Sequence, residues 1–452
     1  MKRILTLLLM VALGAVPSVV RADELCRGHG WPMTPEFEPS PRIVTFDNVY
    51  GEKVNVLLPD DYNVTTKRYP VLYVMHGGTW GAKEGPDVYL AYTDLIDRSA
   101  GQDVIVVMPY TGRYGVGMDW RDGSQAWETF IVDQLIPWVD DHFRSVNGRA
   151  GRALAGESMG GFVAMSLAAR HPDLFVAAGS FSGWLDLTIG DAGWFAAFTA
   201  IGIECGGDGR GAFSDPVTAG MDLRDHNPPD LAGNLGASSV YFDTGNGVPC
   251  TAEDVTRPSR PGPAALFPLA IGLEAMGRPM NQRFHDAARA AGIAHTASMR
   301  QCGTHDFPYF NHALDSFWPH MMSAFSRPPA TPPAVPFDLA RAAATFRAWD
   351  WTFAADPARA AEFLSVADAS CRGLGLTGSG LTTITTARCF RPRSIVLVDG
   401  ERTRADGEGR ITFTVDLGPA HQHEQFTPAA RALEAAGGYW TSTTVTLKGG
   451  GS

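Results

Sequence analysis

The sequence predicts a doubly wound α/β domain followed by a smaller β-sandwich. Three observations carry this. Continuous apolar runs at 69–75 (YPVLYVM) and 104–108 (VIVVM) read as strands buried on both faces, as the strands of a parallel sheet are. Helical patterns lie between such runs, and strands alternating with helices build a parallel sheet. Past a proline-rich stretch, the composition changes to short, alternating, β-branched runs. A chain of 452 residues has room for both units.

In chain order, Lys2 and Arg3 precede an apolar run at 4–20, and Val20-Arg21-Ala22 offers small residues for cleavage. Residues 1–22 therefore read as an export signal. Gly14 and Pro17 break the run, which argues against a membrane anchor. Residues 42–59 (with IVTF and KVNVLL) read as extended strands, ahead of the two apolar runs. The stretch 127–143 places Phe130, Leu135, Trp138 and Val139 near one helical face, with a bend at Pro137. RALA at 152–155 is a strand and FVAMSLAA at 162–169 a helix. SVYFD at 239–243 and the stretch 297–300 are later strands, with a last helix after them. The α/β domain thus spans 23–326, and RPPATPPAVPF at 327–337 is a stiff linker. One further helical segment is expected in the C-terminal domain, 338–452. From about Ala367 come the strands TGSGLTTITTA, SIVLVDG, ITFTVDL and TSTTVTL, and LKGGGS forms a tail.

Acidic residues outnumber basic ones, 48 to 37, for a net charge of −11. That balance lacks the basic footprint of a nucleic-acid partner. Six cysteines in an exported chain point to disulfides. Cys371 with Cys389 is the first pairing by proximity, and Cys205 with Cys250 the next. No CxxC pair occurs, so metal binding is the weaker reading, and neither metal nor cofactor is expected.

Gly156-Glu157-Ser158-Met159-Gly160 fits G-x-S-x-G between a strand and a helix, the context of a nucleophile elbow. A serine hydroxyl needs a base. Of twelve histidines, His305 in CGTHDFPYF follows a strand, sits in a Gly-Thr loop and precedes the last helix. His171 reads as a cap or turn residue, while His421 and His423 (HQHE) read as a solvated loop rather than metal ligands. The acid that orients the base is Asp243, Asp254 or Glu274, and spacing does not choose among them. Two backbone N–H groups must face the oxyanion. One is that of Met159, the other that of Gly77 or Gly78 in the HGG turn after the first apolar run.

YPVLYVMHGG, Asp119-Trp120 followed by WETF, GESMGG, HPDLF, FSGWLDLT, FDTGNG and GTHDF together resemble a known esterase family over about residues 41–325. That family has the α/β-hydrolase fold. It holds esterase-D-like enzymes, feruloyl esterases and antigen-85-type mycolyltransferases. The likeness to the antigen-85 branch runs through Leu273-Glu274, Phe284 and residues 286–292 (DAARAAG). It implies that Glu274 is the acid and Gly78 the second oxyanion donor, giving a triad of Ser158, His305 and Glu274. Where mycolyltransferases carry Asp-Gly-Leu-Arg this chain has His76-Gly77-Gly78-Thr79, and Asp306-Phe307 stands where they have Ser-Trp. These departures count against transfer to trehalose.

The first functional reading is therefore a secreted carboxylic-ester hydrolase acting on a small-molecule or polymer-linked ester. An acyltransferase to a sugar hydroxyl is the second, and a non-catalytic cell-wall or matrix-binding protein the third. Trp80, Trp120 and Phe307 are candidate substrate-binding aromatics, beside Tyr110 and Trp184. The C-terminal domain is a candidate for contact with the cell envelope or a polysaccharide.

Overall fold

The computed structural model describes residues 37, 39–48, 51, 53–78, 85–112, 115–121, 123, 125–188, 220–256 and 267–449. The export-signal segment, Trp80, Cys26 and Cys205 lie outside the described residues.

Eight strands form the first sheet: β1 Ile43–Asp47, β2 Lys53–Leu57, β3 Val71–Met75, β4 Ile105–Pro109, β5 Arg152–Glu157, β6 Ala177–Phe181, β7 Ser239–Thr244 and β8 His295–Met299. Their order is β1-β2-β4-β3-β5-β6-β7-β8. β2 runs antiparallel to β1 and β4, and the remaining pairs are parallel. This is the α/β-hydrolase fold. All five residues of β3 and of β4 are buried, because helices cover both faces. Tyr73 and Met75 enter one core with Phe162 and Leu167, while Leu72 and Val74 enter the other with Phe310 and Phe317. A strand apolar at every position needs both cores.

Three helices frame the sheet's functional edge: α1 Met159–Arg170, α2 Phe267–Ala290 and α3 Phe307–Ser326. The expected helix before β5 runs through Trp127–Thr129, Phe130–Leu135 and Ile136–His142, and the middle stretch is a π-helix. The wide turn precedes Pro137, which has no N–H to donate and whose ring crowds the preceding turn.

The C-terminal region has ten strands: β9 Phe337–Arg341, β10 Thr345–Ala348, β11 Trp351–Ala354, β12 Leu364–Ser370, β13 Gly373–Gly378, β14 Leu381–Thr385, β15 Ile395–Val398, β16 Glu401–Arg404, β17 Thr412–Asp416 and β18 Thr441–Gly449. They form two antiparallel sheets, β10-β11-β14-β17 and β16-β15-β18-β13-β12-β9. Phe346, Trp351 and Phe353 of the first share a core with Leu339, Val366, Leu376 and Val445 of the second. The helical segment expected after the linker is strand instead. Its alanines favour helix by propensity, but Phe346/Ala348 and Trp351/Phe353 are buried at period two. An unexpected helix, Pro428–Ala435, starts at Thr427, whose Oγ1 accepts from the Ala430 N–H.

The two regions meet through a polar network, and Phe363 of the β-region also packs against the first apolar core. Arg341 of β9 reaches Asp225, and its guanidinium also donates to the Arg170 carbonyl (2.9 Å). Arg170 pairs with Asp225 and with Glu128. Asn234 and Ala340 exchange two hydrogen bonds (3.0 and 2.8 Å), as paired strands would. Among the described residues, no helix is long and apolar enough to cross a membrane.

Candidate active site

The C-terminal ends of β3, β5, β6, β7 and β8 point to one edge of the sheet, and the loops that leave them build the site. Ser158 comes directly after β5 with φ 56° and ψ −120°, a sharp reversal into α1. The serine N–H donates to the Phe181 carbonyl (2.9 Å). The reversal presses α1 against β3: a Cβ at Gly160 would stand 2.0 Å from the Met75 carbonyl oxygen. Glycine is required there because backbone cannot yield.

His305 sits on the loop between β8 and α3, with its N–H on the Ala270 carbonyl (3.0 Å) and its ring edge-on to Phe310. Nε2 lies 2.8 Å from Ser158 Oγ, and Nδ1 lies 2.8 Å from Glu274 Oε2. A carboxylate only accepts, so Nδ1 carries the proton and Nε2 is free to accept from the serine. Glu274, on α2, is fully buried. Its other oxygen accepts from Ser182 Oγ (2.7 Å), Thr244 Oγ1 (3.2 Å) and the Gly245 N–H. Burial works against its charge, but the hydrogen bonds from His305, Ser182 and Gly245 outweigh burial and hold its pKa below the usual carboxylate value.

The other two acids are committed elsewhere. Asp243 is buried against Arg300 (2.6 Å), and Asp254 accepts from Tyr309 Oη (2.6 Å) and the Thr251 N–H (2.7 Å). Of the three, Glu274 is the one that meets His305.

The HGG turn after β3 is held by two neighbours. Glu157 Oε1 accepts the Gly77 N–H (2.8 Å), and a Cβ at Gly77 would collide with that carboxylate. His76 Nδ1 donates to the Gly77 carbonyl (2.6 Å), while Nε2 accepts the Thr111 N–H (3.0 Å). Burial lowers the His76 pKa to about 4, so the ring stays neutral and keeps this tautomer. With the Gly77 N–H engaged, Gly78 has the donor that remains in the turn. Among the described residues, neither its N–H nor that of Met159 donates to another protein group.

The candidate aromatics are dispersed. Phe307 is buried in the core beneath α3, packed on Tyr92 and Phe310, so it is not an open pocket wall. It is the first residue of α3, where Asp306 caps its N–H, and that turns the ring inward. Trp120 is half-buried, with Nε1 on the Gly115 carbonyl (3.2 Å). Tyr110 stacks on His76. His171 closes α1 and reaches Glu128 (2.7 Å). His421 is no solvated loop residue: it bonds Glu362 (2.6 Å) and the Tyr439 carbonyl (2.7 Å) and stacks on the Tyr439 ring. Among the described residues, no cluster of three or more His, Cys, Asp or Glu side chains is placed to hold a metal ion.

Cys371 and Cys389 are joined, as proximity predicts. Cys250 pairs with Cys302 rather than with Cys205. β7 and β8 are adjacent and parallel, so the loops after them run side by side, with the Gly303 N–H on the Val248 carbonyl (2.6 Å). The site residues that sequence reasoning missed are Ser182, Thr244 and the Glu157–His76 lock. Ser182 comes directly after β6 with φ 49°, but no motif at FSGW points to it.

Comparison with known proteins gives the family. The model of the "Putative esterase" family matches residues 51–321. The chain belongs to that family. Esterase Rv1288 of Mycobacterium tuberculosis is 43% identical over 136 residues, 29% of this chain and 28% of that protein. Diacylglycerol acyltransferase/mycolyltransferase Ag85A of Mycobacterium bovis is 30% identical over 290 residues, 59% of this chain and 76% of that protein. The chain thus spans little more than a quarter of the first esterase relative and three quarters of the acyltransferase. The crystal structure of Mycobacterium tuberculosis MPT51 covers 66% of this chain and 100% of its own, at 23% identity and a TM-score of 0.49.

Proposed function

We propose that the protein is an exported serine esterase that cleaves carboxylic esters through an acyl-enzyme on Ser158. One observation carries the reading: the unbroken hydrogen-bond chain from Ser158 through His305 to buried Glu274. In this mechanism Nε2 of His305 takes the serine proton as Oγ attacks the ester carbonyl. The imidazolium is stabilised by Glu274, which stays ionised because of its donors. The oxyanion accepts from the N–H groups of Met159 and Gly78, and the N-terminus of α1 adds a favourable dipole. His305 returns the proton to the leaving alcohol. Water then repeats the sequence and frees the acid.

The loop disulfide Cys250–Cys302 and the apolar start of the chain support export, because such bonds persist in oxidising compartments. We assign the chemistry to 23–326 and read 338–452 as an appended β-domain. Identity to an acyltransferase over 290 residues favours a second reading, transfer of the acyl group to a sugar hydroxyl.

The test measures release from p-nitrophenyl butyrate, with and without trehalose, and identifies the products. Ser158→Ala should lower turnover by roughly a thousandfold or more. Activity retained by that variant sinks the assignment. Free butyrate as the product in both tubes supports hydrolysis, and acylated trehalose moves the protein to the transferase reading. Glu274→Gln should damage turnover more than Asp243→Asn, and the reverse order would remove Glu274 as the acid.

A further inference from the structure

The β-region carries a groove that the ester chemistry does not use. The Cys371–Cys389 disulfide and Phe390 line it, together with Arg372, Arg391 and Lys448. All three cations are exposed, and among the described residues none has an ion-pair partner. The nearby acids are engaged or turned away. Glu408 pairs with Arg388 and Arg410. Asp399 accepts the Thr446 N–H, and Asp406 accepts those of Glu408 and Arg410. Glu401 shares a cross-strand row with Val398 and buried Leu447, so it stands on the face opposite Lys448. Arg402 shares the Lys448 row through Leu397.

A second observation comes from the turn beside the groove. The Ser394 N–H closes it on the Arg391 carbonyl (3.1 Å), and Arg393 sits at φ 62°. Glycine adopts that conformation with less strain, and here an arginine occupies it. Arg404 braces the turn by donating to the Arg393 carbonyl (3.1 Å). In a protein of net charge −11, this end is a local exception.

The neighbouring surface narrows the ligand class. Along β18 the same face continues through Thr446, Thr444 and Ser442, the last bonded to Thr377 of β13 (2.8 Å). Gly373 and Gly375 of β13, paired with Thr446 and Thr444, present no side chains beside them. The track is neutral and rich in hydroxyls. A nucleic-acid duplex bears a charge about every 1.7 Å of its axis and would need cations along its whole length. A hydroxylated chain with spaced carboxylates matches a cationic groove that opens onto a hydroxyl track. We propose that this groove and track bind an acidic polysaccharide, with Arg372, Arg391 and Lys448 taking its carboxylates.

The proposal stands apart from the esterase reading, because its readout is binding. The full chain is titrated with polygalacturonate at about 50 mM and about 200 mM salt, where a charge-driven contact weakens steeply. The triple variant Arg372→Gln/Arg391→Gln/Lys448→Gln should bind roughly tenfold more weakly, with a shallower salt dependence. A charge-matched control, Arg289→Gln/Arg347→Gln/Arg431→Gln, removes three exposed arginines elsewhere and should bind as the parent does. Both variants should keep the parent's melting temperature and ester turnover. Any of four results overturns the proposal: no binding by the parent, equal loss in the control, equal binding of neutral dextran, or tighter binding of duplex DNA.

Discussion

The α/β region and the β-region are held by different forces. In the first, apolar cores on both faces of one sheet fix five loops, and each loop brings a backbone or side-chain group to the site. The second closes its own apolar core and meets the first along the buried ions Glu128, Arg170, Asp225 and Arg341, with Phe363 packed on the first core beside them. Loop position therefore governs chemistry, while a network of buried ions is a main part of the attachment. Perturbations of the two should separate, and each region offers its own disulfide for the trial.

Cys250–Cys302 closes a loop of sequence separation 52, and His305 lies three residues beyond it. Cys371–Cys389 closes one of separation 18. In the chain-entropy description their losses cost about 4 and about 3 kcal/mol. Replacing Cys250 and Cys302 by alanine should lower both melting temperature and turnover, since the His305 loop loses its tie. Replacing Cys371 and Cys389 should lower stability alone. Calorimetry and steady-state kinetics on the two variants check this, and equal damage to turnover would erase the division.

The interface comes next in size. Arg341 is buried and faces Asp225, which also holds Arg170. Burial works against the charge on Glu128, but Arg170, His171 and His226 outweigh it and hold its pKa well below the carboxylate range. Arg341→Met leaves Asp225 short of a counter-charge, a loss of about 3 kcal/mol for a buried pair. The expected signature is two resolved calorimetric transitions where the parent shows one, with turnover by the folded α/β region kept. Loss of turnover in step with stability would mean that the interface also shapes the site. A route exists: Trp127, beside Glu128, meets Tyr110 edge-on, and Tyr110 stacks on His76.

Local features are legible in the sequence. Strands apolar at every position, the G-x-S-x-G turn and the HGG turn are each written in a few adjacent residues, and the sheet is built from them. The acid is harder to read, because Asp243, Asp254 and Glu274 are brought near the site from separate elements and only tertiary placement decides among them. Resemblance points to Glu274 where spacing does not. The Cys250–Cys302 pairing is hidden for the same reason, since adjacency of β7 and β8 is a property of the sheet. Ala-rich 338–366 misleads because composition and period disagree, and burial at period two prevails. Phe307 misleads because a side chain's direction depends on where its helix begins.

Ser182 provides the smallest and most specific trial. Its Oγ donates to the Glu274 oxygen that does not face His305 (2.7 Å), so it acts on the imidazole only by holding the carboxylate. One such bond to a charged group is worth about 1.5 kcal/mol, and Ser182→Ala should lower kcat roughly tenfold with KM little changed. A structural role alone predicts lost stability without that split. The acid limb gives an independent reading. The Glu274 pKa lies below the ordinary glutamate value of 4.5, so its stabilisation is complete above that value and is lost as pH falls through the folded-state pKa. Removing the Ser182 donor brings the folded pKa closer to the unfolded one. The rise of melting temperature with pH across that window should become shallower in Ser182→Ala than in the parent. If the slope is unchanged while kcat falls, Ser182 acts on the site by some path other than Glu274.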